Sequence, residues 1–211
     1  FLDEVTRKKM GNQAVKLAKK VGYSSAGTVE FIVDKNKNFY FLEMNTRLQV
    51  EHPVTELVTG IDLVEQMICI AYGKKITITQ DKIVLNGSAI ESRIYAENPY
   101  KNFLPSIGRL TKYYPPQEKT HDDGSMTRND TGVREGDEVS MFYDPMIAKL
   151  CSWGKTREIS IERMESALDK FLLEGIDHNI PFLSSILGSK RFKSGDLTTS
   201  FIEDEYPNGY H

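Results

Sequence analysis

Phe39-Tyr-Phe-Leu-Glu-Met-Asn-Thr-Arg-Leu-Gln-Val-Glu-His-Pro-Val-Thr-Glu56 is the stretch on which the reading of this chain turns. Phe39, Tyr40, Phe41 and Leu42 predict a buried strand, and it runs straight into Glu43, Asn45, Arg47, Gln49 and Glu51. These polar groups occupy every second position, and in an extended chain side chains two apart share a face. A row of carboxylate, amide, guanidinium, amide and carboxylate suits a divalent cation at one end and a small anion at the other.

The preceding stretch, Ala26-Gly-Thr-Val-Glu-Phe-Ile-Val33, reads as a partner strand, with the turn residues Asp34-Lys-Asn-Lys-Asn38 between them. An even-length loop pairs Asp34 with Phe39 or Lys35 with Asn38, and either register sets Glu30 directly across from Glu43. Like charges so placed destabilise a sheet. A hard cation such as Mg2+ reverses the sign, because it takes carboxylate and amide oxygens and leaves positions for phosphate oxygens. The other reading is a register slipped by one residue, which reverses faces, or two glutamates splayed into water.

Outward from this hairpin, Asp3 caps a predicted helix with Met10, Ala14, Leu17, Ala18 and Val21 at helical spacing and Gly22 at its end. His52-Pro53 breaks the extended run. Gly60 to Gly73 predicts a second helix, apolar on most sides and hence buried. A β-rich region follows from Ile83 to Ser152, with strands expected at Ser88–Tyr95, Gly108–Tyr114, Glu138–Phe142 and Ala148–Trp153, and His121-Asp-Asp-Gly124 as a solvated loop. Thr156 caps a helix carrying Ile161, Met164, Leu168 and Phe171, stopped by Gly175, and a shorter helix starts near Asn179 to Pro181. The polar tail after Phe192 is expected to pack loosely. The fold class is α+β.

With 211 residues and 39% hydrophobic composition, the chain can bury a core and has room for one or two domains. A net charge of −3 with scattered lysines provides no basic field for nucleic acid, and no apolar run is long enough for a membrane-spanning helix. Cys69 and Cys151 lie in apolar stretches, which reads as two buried thiols in a reducing compartment rather than a disulfide or zinc site. No signal or transit peptide is expected, and an opening on Phe1-Leu-Asp rather than Met reads as an excised piece.

The run from Glu43 to Glu56 resembles the signature of the biotin carboxylases, the ATP-grasp subunits or domains of biotin-dependent carboxylases. Tyr23-Ser-Ser-Ala-Gly-Thr-Val-Glu-Phe31 is similar to that family's preceding strand. Glu91-Ser-Arg-Ile-Tyr-Ala-Glu97, Phe103-Leu-Pro-Ser-Ile-Gly-Arg109 and Tyr143-Asp-Pro-Met-Ile-Ala-Lys-Leu150 match in order, so the likeness covers essentially the whole chain. Ala96-Glu-Asn-Pro-Tyr-Lys101, His178-Asn-Ile180 and Glu205-Tyr-Pro-Asn-Gly209 look most like the propionyl-CoA branch of the family. The resemblance implies the C-terminal part of an ATP-grasp domain over residues 1–83, the β-rich biotin carboxylase C-terminal domain with helices over 84–195, and a tail over 196–211. No G-x-x-x-x-G-K-[ST] or G-x-G-x-x-G occurs. In the family an earlier domain and a mobile lid carry the glycine-rich loop and the ATP lysines, so this C-terminal half is expected to turn over negligibly by itself.

On that resemblance Glu30 and Glu43 would meet ATP, and with Asn45 they would hold Mg2+ or Mn2+. Arg47, Gln49, the Val50 backbone and Glu51 would bind bicarbonate. Arg47 offers the paired donors that suit a planar anion, and Glu51 is the implied general base. Arg93 would hold the ureido oxygen of biotin and steady its enolate. From the residues alone, Arg47 reads first as an ion-pair partner of Glu43 or Glu51, and Arg93 first as a surface arginine beside Glu91. His52 reads as structural, and Asp144 and Lys149 as a strand end near the site.

The implied reaction is that of an ATP-dependent ligase: ATP, bicarbonate and a biotinyl carrier give ADP, phosphate and carboxybiotin by way of carboxyphosphate. The implied partners are a biotinyl carrier domain, which bears the biotin, a carboxyltransferase β subunit and, in the full protein, a homodimer or larger hetero-oligomer. The compartment would be bacterial cytoplasm or mitochondrial matrix. Rivals within the family are the methylcrotonyl-CoA, acetyl-CoA and pyruvate carboxylases. Outside it stand other ATP-grasp ligases that reuse E-x-N-x-R, such as carbamoyl phosphate synthetase or a purine-pathway carboxylase, and a non-catalytic docking or dimerising module. Gln49-Val-Glu51-His-Pro53 and the Arg93 neighbourhood argue against the other ligases.

Overall fold

The hairpin exists, but a bulge sets its register. In the computed structural model, which describes residues 1–211, the unit Phe1–Val84 begins with α1 (Glu4–Lys20) and continues into β1 (Thr28–Val33) and β2 (Phe39–Asn45). At the turn Val33, not Asp34, faces Phe39. The Asp34 carboxylate accepts from the backbone N–H groups of Asn36 and Asn38 at 2.8 and 2.9 Å, which favours this odd-length loop over the even one expected. Continued unbroken, that register would set Glu30 against Leu42. A bulge between Glu30 and Phe31 leaves Leu42 unpaired and restores Glu30 opposite Glu43. It also puts Phe41 and Glu43 on opposite faces, although in an unbroken strand they would share one. Phe41 and Phe39 then meet Phe31 edge-on, at 6.5 and 5.5 Å between ring centroids.

The aromatic face looks toward Leu17 and Lys16 of α1 across an open cleft. Asp3 caps that helix as expected, accepting from the Thr6 N–H at 2.8 Å, and Gly22 follows it with φ of +66°. The predicted burial of β2 fails: Tyr40, Phe41 and Leu42 are 59, 50 and 60% exposed.

The strand ends at Asn45, so the expected extended face does not reach Glu51. His52-Pro53 does more than break it. Pro53 sits in the first turn of α2 (His52–Thr59), where its missing N–H costs nothing, and the pattern had no helix there. Next comes α3 (Leu63–Ala71), capped by Asp62, inside the predicted Gly60 to Gly73 span. It is not buried: Ile68 is 65% exposed, and Cys69 is only half-buried. The buried Glu56 carboxylate ties the two helices by accepting the Leu63 N–H at 2.7 Å.

The unit Leu85–His211 holds, in chain order, β3 (Ser88–Tyr95), β4 (Glu97–Asn98), β5 (Leu104–Pro105), β6 (Gly108–Arg109), β7 (Lys112–Tyr114), β8 (Lys119–Thr120), β9 (Met126–Thr131), β10 (Glu138–Val139), β11 (Met146–Gly154) and β12 (Leu172–Glu174). The main sheet is antiparallel in the order β3-β11-β9-β8. The predicted strand at Gly108–Tyr114 divides into β6 and β7, and Glu138–Phe142 shrinks to β10. The reading missed β9 because its core-facing residues, Thr127 and Asn129, are buried but polar, so no hydrophobic alternation marks it.

One sheet face, through Ile90, Ile94 and Leu150, packs on Ile161, Met164 and Leu168 of α4 (Arg157–Asp169), whose N-cap is Thr156. Gly175 does not stop that helix, since β12 intervenes. It has φ of +104°, and a Cβ there would lie 2.1 Å from the Arg109 carbonyl oxygen, so a bare backbone is needed for this close crossing. Then come α5 (Ile180–Gly188), with Pro181 in its first turn, α6 (Lys190–Ser194) and α7 (Phe201–Glu205). The tail is packed rather than loose. Phe201 is buried, and Tyr206 and Tyr210 meet Phe182 at 5.0 and 5.3 Å between ring centroids.

Candidate functional site

Glu30 and Glu43 converge on one amide. Asn45 Nδ2 donates to Glu30 Oε1 at 2.8 Å and to Glu43 Oε1 at 3.0 Å, and Gln49 Nε2 adds a third N–H to Glu30 Oε1 at 3.1 Å. Two carboxylates thus face a single NH2 group, whose partial positive charge offsets their repulsion only weakly. An amide rotated about its Cβ–Cγ bond presents oxygen in place of nitrogen, which gives a hard, all-oxygen donor set suited to Mg2+ or Mn2+. No group of three or more His, Cys, Asp or Glu side chains gathers anywhere in the chain. A cation here would therefore keep positions for outside oxygens, as Mg2+ does when it carries phosphates.

Beyond Asn45 the polar row is gathered by a turn, not by strand alternation. Arg47 Nη1 donates to Gln49 Oε1 at 2.7 Å and to the Leu48 carbonyl at 3.3 Å, and Nη2 donates to Asn45 Oδ1 at 3.3 Å. All three acceptors are neutral oxygens. His52 holds the turn: its Nδ1 lies 2.8 Å from the Gln49 carbonyl, an atom that can only accept, so the proton is on Nδ1. Glu51 is exposed at the N-cap position of α2 and makes no capping bond with its side chain. Arg47, Gln49 and Glu51 line a single cavity of about 480 Å³, together with Gly27, Thr28 and His52. Val50 lies half-buried between Gln49 and Glu51 in the turn.

Arg93 belongs to the other unit. On β3 its Nε donates to Glu91 Oε1 at 3.0 Å; the Glu91 side chain is 5% exposed and that of Arg93 36%. Lys149 is its cross-strand neighbour and pairs with Asp130 at 3.4 Å, while Arg128 grips Asp130 at 2.6 Å. Three cations and two carboxylates thus share the sheet face away from α4. Asn179 clips this strand, donating to the Arg93 carbonyl at 3.0 Å and accepting from the Tyr95 N–H at 2.9 Å. Asp144 accepts from the Met146 N–H at 2.8 Å, a local turn contact.

Sequence reasoning missed two features near the carboxylates. Ile32 shares a face with Glu30 by alternation and pairs with Tyr40, and both are about 60% exposed. They form an apolar strip continuous with the two carboxylates, and the Glu30-x-Ile32 spacing was the available signal. Gly27, in the cavity wall, is hemmed in. A Cβ there would meet the Tyr23 ring at 2.8 Å and the Asn45 carbonyl at 3.1 Å.

Comparison with known proteins covers the whole chain. Residues 91–204 match the family described as biotin carboxylase C-terminal domain, and residues 1–79 match that described as carbamoyl-phosphate synthase L chain, ATP binding domain. The propionyl-CoA carboxylase alpha chain of Ruegeria pomeroyi is 62% identical over 100% of this chain and 33% of its own length. The mitochondrial propionyl-CoA carboxylase alpha chain of Homo sapiens is 54% identical over 100% of this chain and 28% of its own length. Among solved structures, the biotin carboxylase domain of Hydrogenobacter thermophilus 2-oxoglutarate carboxylase, in complex with MgADP, ADP and bicarbonate, superposes with a TM-score of 0.90 at 43% identity, covering 97% of this chain and 44% of that one. The chain spans about a third of the length of the curated relatives it matches.

Proposed function

This chain belongs to the biotin carboxylase family, whose C-terminal domain matches residues 91–204, and from that premise we propose that it serves the ATP- and bicarbonate-dependent carboxylation of biotin in a propionyl-CoA carboxylase alpha subunit. The observation that carries this reading is the convergence of Arg47, Gln49 and Glu51 on one cavity, hydrogen-bonded through Asn45 and Gln49 to the paired carboxylates Glu30 and Glu43. We assign residues 1–83 to the ATP-grasp domain, 84–195 to the carboxylase C-terminal domain and 196–211 to a tail packed on the latter.

Glu30, Glu43 and Asn45 would hold Mg2+ or Mn2+, which when bound neutralises phosphate charge on ATP. Arg47 receives bicarbonate: its guanidinium already donates to neutral oxygens, which an anion outcompetes. Gln49 and the Val50 backbone complete the anion's hydrogen bonds. Glu51 takes the bicarbonate proton, which frees the oxyanion to attack the γ-phosphoryl. Arg93, pre-oriented by the buried Glu91, holds the ureido oxygen and stabilises the enolate of biotin. The biotin is borne on a carrier domain, and the product passes to a carboxyltransferase beta subunit within a homodimeric or larger assembly. The compartment in this reading is bacterial cytoplasm or mitochondrial matrix, since the relatives include a bacterial chain and chains named mitochondrial.

The test is ATP-dependent carboxylation of free biotin by a full-length enzyme carrying this segment. Glu51→Gln and Arg47→Ala should each lower turnover by roughly 10²–10³-fold, with Arg47→Lys recovering only part. Unaltered turnover in Arg47→Ala would overturn the assignment. The 211-residue chain alone should show negligible turnover.

A further inference from the structure

The 85–211 unit contains a second cavity, of about 220 Å³, that the proposed chemistry does not use. The β8–β9 hairpin supplies Lys119, His121 and Thr127 to its wall, and α4 with its C-cap supplies Arg163 and Lys170. Thr127 is on the face of β9 opposite Arg128 and Asp130, so the cavity lies on the reverse of the sheet face that carries Arg93.

Its cations are arranged for an anion. Arg163 is clamped in place: Nε donates to Ser125 Oγ at 2.8 Å and Nη2 to Asp123 Oδ2 at 3.1 Å. The buried Ser125 hydroxyl in turn donates to Asp123 Oδ1 at 2.6 Å. These contacts spend two nitrogens of the guanidinium and leave Nη1 without a protein partner. Lys119 and Lys170 make no ion pair. Around His121, three cations act against the one carboxylate of Asp123. The same field acts on His121, whose ring is held below its usual pKa first by burial and then by Arg163, Lys119 and Lys170, against the opposing pull of Asp123. Pro116 and Ala167 add an apolar wall.

We propose that this cavity binds a small phosphomonoester, with the dianionic phosphate held by Arg163, Lys119 and Lys170 and the organic body against Pro116 and Ala167. A preset guanidinium and two mobile ammonium groups suit a doubly charged tetrahedral anion. The volume exceeds what a bare phosphate fills, which gives the apolar wall its use.

The experiment titrates inorganic phosphate, then phenyl phosphate, into the 211-residue chain at fixed ionic strength while following the His121 ring resonances. A saturable shift is expected with both, several-fold tighter for phenyl phosphate because its ring buries apolar area. In the double variant Lys119→Gln/Lys170→Gln, which alters only exposed side chains, the Kd should rise roughly tenfold or more. Arg163→Gln should weaken binding too, but it also unties the hairpin, so the lysine pair decides. A linear shift reproduced by chloride would mean screening alone and overturn the site. An unchanged Kd in the lysine variant would overturn the residue assignment, and equal affinity for the two phosphates would overturn the organic body.

Discussion

The 1–84 unit and the 85–211 unit divide burial and chemistry between them in opposite ways. Every buried apolar side chain other than Pro53 lies between Ile90 and Phe201, whereas the first unit buries only Thr6, Pro53 and Glu56. Yet the first unit carries the carboxylate pair, Arg47, Gln49 and Glu51, while leaving Ile32, Tyr40, Leu42 and Ile68 at least 59% exposed. The site there is held by a polar network rather than by a hydrophobic core. Such a network sets geometry but adds little free energy, since a typical hydrogen bond contributes only about 1 kcal/mol net. The second unit is the stable body, and the first, which carries the carboxylate pair and most of the proposed site, is the more labile one.

Native-state hydrogen exchange should show the contrast most strongly. Amides of β3, β9 and β11 should be protected on the order of a thousandfold more than those of β1 and β2. Equal protection would erase the comparison. Core truncation sharpens it: Leu150→Ala and Leu168→Ala, both at fully buried positions, should cost about 2–5 kcal/mol by denaturant unfolding. Ile68→Ala, at a position 65% exposed, should stay within about 0.5 kcal/mol.

Within the labile unit, Glu56→Ala should destabilise by about 1–3 kcal/mol, because it strands the Leu63 N–H at the start of α3. Helicity loss confined to residues 52–71 would be the signature in exchange data. The smallest effect is chemical. Burial, helped by Glu91 and Asp130, pushes the Cys151 thiol up to about 12. Iodoacetamide at pH 8 should therefore modify the half-buried Cys69 and spare Cys151 until the protein is unfolded, as read by mass spectrometry. Prompt labelling of Cys151 would show that the second unit opens as readily as the first.

The fold was legible where burial follows hydrophobic period: β3, β11, α4 and α5 stand where the pattern put them. It was illegible where burial is polar, as at Thr127 and Asn129 of β9, and where apolar residues stay exposed, as along β2 and α3. The tail misled for a related reason. Its polar composition hides three aromatic anchors, Phe201, Tyr206 and Tyr210, spaced too widely to read as one face.

Residue type and short-range order determined by themselves the donors this protein brings together: Glu30, Glu43, Asn45, Arg47, Gln49 and Glu51 are local, and their chemistry is intrinsic to the side chains. The pairing of Glu30 with Glu43 was reached by an even-loop argument that does not hold, and only the tertiary structure showed that a bulge at Leu42 makes it true. The same holds for Arg47 and Gln49, which a turn locked by His52 gathers instead of an extended strand. Bulges and turns respond to packing on both faces of a segment at once, here Phe41 toward α1 and Glu43 away from it, and that competition is decided by partners distant in the chain.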